Sequence, residues 1–193
     1  MIFDRPNFHI LSGGPGAGKT TTLGALKRLG FQGVDEAARQ ILREQAAIGG
    51  DATHDGDQVR YRDLSLARSI AAFEAVSERT APVFFDRGIA EMLGYADAPG
   101  AAPPAHMTEA TRRYRYARDV FIFPPWEAIY CHDEERKHSF AHAVEVCETI
   151  SLAYRRCGYD VVEVPRAPVE DRVRFILERV GAGARDSLPP GQS

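Results

Sequence analysis

The sequence predicts an α/β fold, a three-layer α/β/α sandwich around a five-stranded parallel sheet whose strands, counted along the chain, stand in the order 2-3-1-4-5. Three observations predict it. Short apolar and β-branched runs alternate with helical patterns, the signature of βαβ units and of a sheet covered on both faces. A glycine-rich turn joins the first such run to the first helix. The chain has 193 residues, of which 44% are hydrophobic and 26% charged, the length and balance of one ordinary globular domain. Residues 1–180 are expected to form that domain and 181–193 a disordered tail.

The first strand is read at 8–12, followed by a helix over 18–29. A short second strand at 32–35 leads into a helix over 36–47. The polar, Gly- and Asp-rich stretch 49–57 reads as a loop before a long helix that runs to about 79. The third strand, 82–86, is nearly all apolar and ends in Asp86. A short helix at 89–95, an Ala/Pro/Gly-rich mobile loop at 97–104 and a helix at 108–117 come next. The fourth strand, 120–123, is stopped by Pro124 and Pro125, which have no N–H to give a ladder. A long amphipathic helix at 138–157, a fifth strand at 160–164 and a helix at 169–180 complete the pattern.

Composition narrows the function. A formal charge of −3 offers no general attraction to nucleic acid or to an anionic membrane, so neither is expected as a partner. No run approaches the ~20 apolar residues that cross a bilayer. Three cysteines are an odd and sparse set, in keeping with a reducing cytosol, and the chain is expected to be cytoplasmic. Arg112, Arg113, Arg115 and Arg118, interleaved with Tyr114 and Tyr116, read as a solvated helix face, or as a patch for RNA or a phosphorylated substrate.

The chemistry is concentrated at Gly13, Gly14, Pro15, Gly16, Ala17, Gly18, Lys19 and Thr20, a match to G-x-x-x-x-G-K-[ST] between a predicted strand and a predicted helix. Glycines let successive backbone N–H groups point at one anion, and the helix start adds the positive end of its dipole. In such a phosphate-binding loop Lys19 reaches the β- and γ-phosphates of ATP, Thr20 places its hydroxyl on Mg²⁺, and Thr21 meets an α-phosphate oxygen. Asp86, at the end of an apolar strand, is the second expected Mg²⁺ ligand. The next residue is Arg87, where ring-forming ATPases place a water-activating glutamate, and the only asparagine, Asn7, rules out an Asn-Lys-x-Asp guanine reader.

Asp86-Arg87 resembles the Asp-Arg or Glu-Arg pair of nucleoside and nucleotide kinases, in which the arginine faces the phosphoryl acceptor; its planar fork suits a phosphate or carboxylate. Glu36 and Arg39, three residues apart on one helical face, sit beside it at the carboxyl edge of the sheet. They read either as a base and an anchor for an acceptor hydroxyl, or as an i,i+3 ion pair at a helix start. Arg136 and Lys137 occupy the place of a kinase lid, over the moving phosphoryl group, or form a solvated charge run. Arg166-Ala167-Pro168 stands where the base would rest.

The segments Ser-Gly-Gly-Pro-Gly-Ala-Gly-Lys-Thr-Thr-Thr (12–22), Asp-Glu-Ala-Ala-Arg (35–39), Phe-Phe-Asp-Arg-Gly (84–88), Phe-Pro-Pro-Trp-Glu-Ala-Ile-Tyr (123–130) and Gly-Tyr-Asp-Val-Val-Glu-Val-Pro (158–165) together resemble a family of P-loop ATPases with an AAA domain. The resemblance spans about 7–180, and its better-understood neighbours are P-loop kinases, including ribosylnicotinamide kinase domains. It implies ATP and Mg²⁺ as cofactors. Lys19, Glu36, Asp86, Arg87 and Arg136 are then the catalytic set, with Glu36, Arg39 and Arg87 on a small-molecule acceptor. The competing expectation is an ATPase or nucleotide-dependent switch that acts on a partner protein.

Overall fold

The computed structural model describes residues 1–95, 103–129 and 140–182. Most of the expected loop at 97–104, the segment with Arg136 and Lys137, and the tail beyond 182 lie outside the described residues. In chain order the elements are β1 (Phe3–Asp4), β2 (Phe8–Gly13), α1 (Lys19–Arg28), β3 (Gln32–Val34), α2 (Ala37–Ile48), α3 (Gln58–Ala75), β4 (Val83–Asp86), α4 (Ala105–Arg113), β5 (Tyr114–Arg115), β6 (Asp119–Phe123), α5 (Phe140–Arg156), β7 (Asp160–Glu163) and α6 (Val169–Val180). Two 3₁₀ helices, Ile89–Tyr95 and Glu127–Ile129, follow β4 and β6.

Five strands form one sheet in the order β3-β4-β2-β6-β7, with each neighbouring pair parallel. Counted along the chain, that is 2-3-1-4-5. Strands buried on both faces need apolar residues at consecutive positions, and β4 and β6 supply them. Alternate side chains then part to opposite sides. Phe8 and Ile10 of β2, Phe85 of β4 and Ile122 of β6 join Phe73 of α3 and Tyr154 of α5 in one core. Leu11, Phe84, Phe121 and Phe123 join Leu23 and Leu26 of α1 and Ile176 of α6 in the other. Helices on both faces complete the three layers.

Local chemistry sets the helix ends. The Asp57 carboxylate accepts from the Arg60 N–H at 2.9 Å and caps α3. Gly49, at φ 67°, ends α2 in the left-handed region. Phe84 is fully buried, with its ring edge-on to Phe31 at 5.5 Å. Phe84→Ala is expected to lower the unfolding free energy by about 3–5 kcal/mol, read as a lower urea midpoint at unchanged slope.

Four expectations are corrected. The helix expected at 108–117 is α4, which ends at Arg113, because Tyr114 and Arg115 extend and pair with Phe3 and Asp4 in a small parallel sheet. The rings of Phe3 and Tyr114 stack there at 5.1 Å. The helix expected to run to about 79 stops at Ala75. The short helix after β4 is wound as 3₁₀. The interleaved arginines and tyrosines do not share one helix face: Arg112, Arg113 and Arg118 are exposed, as the solvated reading expects, whereas Tyr116 is not. Tyr116 is buried edge-on against Phe73 and Phe85, and Arg115 lies 4.1 Å over the Tyr159 ring. Arg112 and Arg113 pair with Glu109, and Arg118 pairs with Asp160. Among the described residues no helix is long and apolar enough to cross a membrane.

Candidate active site

The loop between β2 and α1 lies over the carboxyl edge of the sheet, and two of its glycines are required by their surroundings. Gly13 has φ 126°, and a Cβ there would sit 2.4 Å from the Phe123 carbonyl oxygen. Gly18 has φ 87°, and its Cβ would meet Arg172 Nη1 at 2.5 Å. The loop folds around Lys19, whose buried Nζ donates to the carbonyls of Gly13 at 3.0 Å and Gly14 at 2.8 Å. Burial pushes this ammonium down to about 8; Arg87 adds to the fall, and Asp86, Glu36 and Glu91 oppose it.

That value has a sign that a titration can read. Below about pH 8 Lys19 carries the charge a phosphate needs; above it the ligand-free site holds the neutral amine, and an incoming polyanion has to restore the proton. Nucleotide affinity is therefore expected to fall by up to about tenfold per pH unit above 8, with proton uptake on binding seen by calorimetry in buffers of different ionisation enthalpy. Affinity that stays level through about pH 9.5 would contradict it.

Thr20 donates its hydroxyl to Asp86 Oδ2 at 3.0 Å, across the gap between the loop and β4. Asp86 is only 5% exposed, and its Oδ1 has no hydrogen-bond partner. Burial raises the Asp86 carboxyl, against the pull of Lys19. An orphaned buried carboxylate oxygen beside a hydroxyl is an all-oxygen donor pair, and it fits a hard divalent cation such as Mg²⁺.

Arg87 follows Asp86 with φ 77°, a left-handed backbone that a long side chain adopts only under constraint. Its Nε donates to Glu36 Oε1 at 2.7 Å, and its Nη1 donates to Glu91 Oε1. Glu91 is fully buried, and its other oxygen accepts from Ser12 Oγ at 2.6 Å and Tyr154 OH at 3.2 Å. Tyr154 OH in turn accepts the Gly88 N–H at 3.0 Å. Arg39 Nε reaches Glu36 Oε2 at 3.7 Å from the rim. Burial would raise the Glu36 carboxyl, but Arg87, Lys19 and Arg39 together hold it below the ordinary range, so it stands as a carboxylate. A cleft opens beside this pair, bounded by the start of α2 and the middle turns of α3, with Glu36, Ser65, Ser69, Asp86 and Arg87 on its walls.

Lys19, Thr20, Glu36, Asp86 and Arg87 thus converge, Arg39 stands half-exposed at the edge, and Thr21 is exposed on the first turn of α1. Arg136 lies outside the described residues. Arg166, expected near a base, donates to the Pro125 carbonyl at 3.0 Å. Sequence reasoning missed Glu91 and Arg172. The signal for Glu91 is an acid four residues after Arg87, the spacing of a same-face ion pair. Arg172 leaves no such trace: it is buried on α6, donates to Ala17 O at 3.1 Å and Ala167 O at 2.6 Å, and lies 4.9 Å over the Trp126 ring.

Residues 8–172 match the profile of the AAA domain. The chain belongs to the AAA domain family. No functionally curated protein matches it. Among solved structures this AAA domain is similar to thymidylate kinase from Ehrlichia chaffeensis, at 14% identity and TM-score 0.58, over 92% of this chain and 99% of that one. It is also similar to shikimate kinase from Acinetobacter baumannii in complex with shikimate, at 17% identity and TM-score 0.52, over 93% and 95%. A third is the YorR protein of Bacillus subtilis in complex with phosphorylated GDP, at 11% identity and TM-score 0.55, over 90% and 95%. At these identities the likeness is one of fold, and the AAA domain here has the P-loop kinase-like fold.

Proposed function

We propose that the chain is an ATP- and Mg²⁺-dependent kinase that moves the γ-phosphoryl group onto a small-molecule acceptor of the nucleoside or nucleotide type. One observation carries this reading: the Glu36–Arg87 pair at 2.7 Å lies beside the Thr20–Asp86 pair at 3.0 Å, so a carboxylate paired with an arginine and a carboxylate paired with a hydroxyl line one cleft, which supports a base and a metal ligand there. In this reading Lys19 and the amides of Gly13, Gly14, Gly16, Ala17 and Gly18 hold the phosphates, with Pro15 stiffening the turn and Thr21 at the α-phosphate. Thr20 and Asp86 hold Mg²⁺, which supplies charge neutralisation on the phosphate oxygens. Arg87 and Arg39 orient the acceptor, and Glu36 takes the proton of its hydroxyl. Arg136 keeps the role on the moving phosphoryl group that its sequence position suggests. Each role is positioning or charge stabilisation, which is most of what phosphoryl transfer requires.

ATP consumption measured against a panel of nucleosides, nucleotides and small alcohols tests it. A phosphorylated acceptor is expected. ATP turnover that no acceptor accelerates, with water as the only acceptor, would replace this reading with that of an ATPase or a switch read by a partner protein.

A further inference from the structure

The peptide between Ala17 and Gly18 is gripped from outside the loop. Arg172, in the first turns of α6 and only 4% exposed, donates its Nη1 to the Ala17 carbonyl at 3.1 Å and its Nε to the Ala167 carbonyl at 2.6 Å. The guanidinium lies 4.9 Å over the Trp126 ring, and it packs so closely on Gly18 that a Cβ there would meet Nη1 at 2.5 Å. An arginine this buried ordinarily pairs with a carboxylate. Among the described residues Arg172 pairs with none, and its partners are two carbonyl dipoles and an aromatic face. The next carbonyl, that of Gly18, is fixed from the other side, where it accepts the Thr22 N–H and the Thr22 hydroxyl, each at 3.1 Å. A trans peptide unit is planar, with its C=O and N–H pointing in opposite directions. Holding the Ala17 carbonyl toward α6 therefore aims the Gly18 N–H away from α6.

We infer that Arg172 is a positioning residue for the nucleotide's phosphates: by keeping the Ala17 carbonyl outside the loop, it turns the Gly18 N–H inward, where a phosphate oxygen can accept it. The inference rests on the loop binding a triphosphate, as proposed above, and makes no use of the acceptor. The grip matters because glycine tolerates either sense of this peptide, and in the flipped sense a carbonyl oxygen would face the phosphate and repel it. A lysine would not replace the arginine. The planar fork reaches both carbonyls at once, whereas an ammonium is a point donor on a flexible stem.

The test measures Mg-ATP affinity by calorimetry and the Gly18 amide by nitrogen-15 NMR in the native full chain, in Arg172→Lys and in Arg172→Met. Each is studied at a temperature where circular dichroism shows it folded, and if Arg172→Met does not fold, Arg172→Lys decides. Both variants are expected to bind Mg-ATP about 10- to 100-fold more weakly, the loss that follows when a group orienting a ligand-binding atom from behind is removed. The displacement of the Gly18 cross-peak at saturating Mg-ATP is expected to be smaller in the variants than in the native chain. A merely structural arginine would lower the melting temperature and leave both readouts of the folded protein as they are. Native-like affinity in the variants therefore overturns the inference. So does weakened binding with a full Gly18 displacement, which would place the action of Arg172 elsewhere on the nucleotide. If the native chain itself binds no Mg-ATP, the nucleotide reading fails and the inference falls with it.

Discussion

If the chain binds Mg-ATP as proposed, Lys19→Ala is expected to abolish the stabilisation that the ligand confers and to slow any ATP turnover by about 100- to 1,000-fold, the effect of deleting one preorganised charge donor. The fold should survive. The Lys19 ammonium is held by two loop carbonyls, not by the packing of either core. Its removal orphans those carbonyls but also relieves the burial that drives its pKa down to about 8, so the two effects on stability oppose each other. Thermal denaturation with and without Mg-ATP, together with far-ultraviolet circular dichroism, separates binding from folding. A ligand shift as large as that of the native chain would refute the assignment of this loop.

Arg87→Ala is expected to lose both the proposed phosphoryl transfer and much of the stability, for a reason that lies in Glu91. That carboxyl is fully buried, and its cation would be gone. Removing one partner of a buried pair destabilises by about 3–5 kcal/mol. Part of the loss should depend on pH. Arg87 helps to hold the Glu36 carboxyl below its ordinary range, so that contribution is present above the unfolded-state pKa and fades as pH falls through the folded-state value. The gap between native and Arg87→Ala unfolding free energies is therefore expected to be wider at pH 7 than near pH 4, as measured by urea denaturation. Combining Arg87→Met with Glu91→Leu should recover part of the stability but not the proposed transfer, because an apolar pair needs no counterion while the Ser12 and Tyr154 hydroxyls lose their shared acceptor. If Arg87→Ala alone is as stable as the native chain, Glu91 is not the buried anchor that the geometry indicates.

The sheet is legible in the sequence because strands buried on both faces need long apolar words, and Val-Phe-Phe before Asp86 or Val-Phe-Ile-Phe before Pro124 can scarcely be anything else in this pattern. The phosphate loop is legible because its backbone demands glycine at fixed positions, and Gly13 and Gly18 do take positive φ values. Asp86 and Arg87 are found by their place at a strand end, and Glu36 and Arg39 by helical spacing. Tyr114–Arg115 are misread because a two-residue strand has no period of its own; what extends it is Phe3 and Asp4, more than a hundred residues away. Arg172 is invisible for the same reason. Its partners, Ala17 and Trp126, come from other parts of the chain, and an arginine in the first turns of an amphipathic helix normally reads as surface.

The reach of Arg172 to the Ala17 carbonyl spans 155 positions along the polypeptide. A ribosome that has delivered everything through the fourth strand of the sheet has thus made every residue of the glycine-rich turn but not its brace. The braced loop is consequently a late product of synthesis, completed only when α6 emerges, and prematurely terminated products that stop before that helix carry the whole motif with its supporting strut missing.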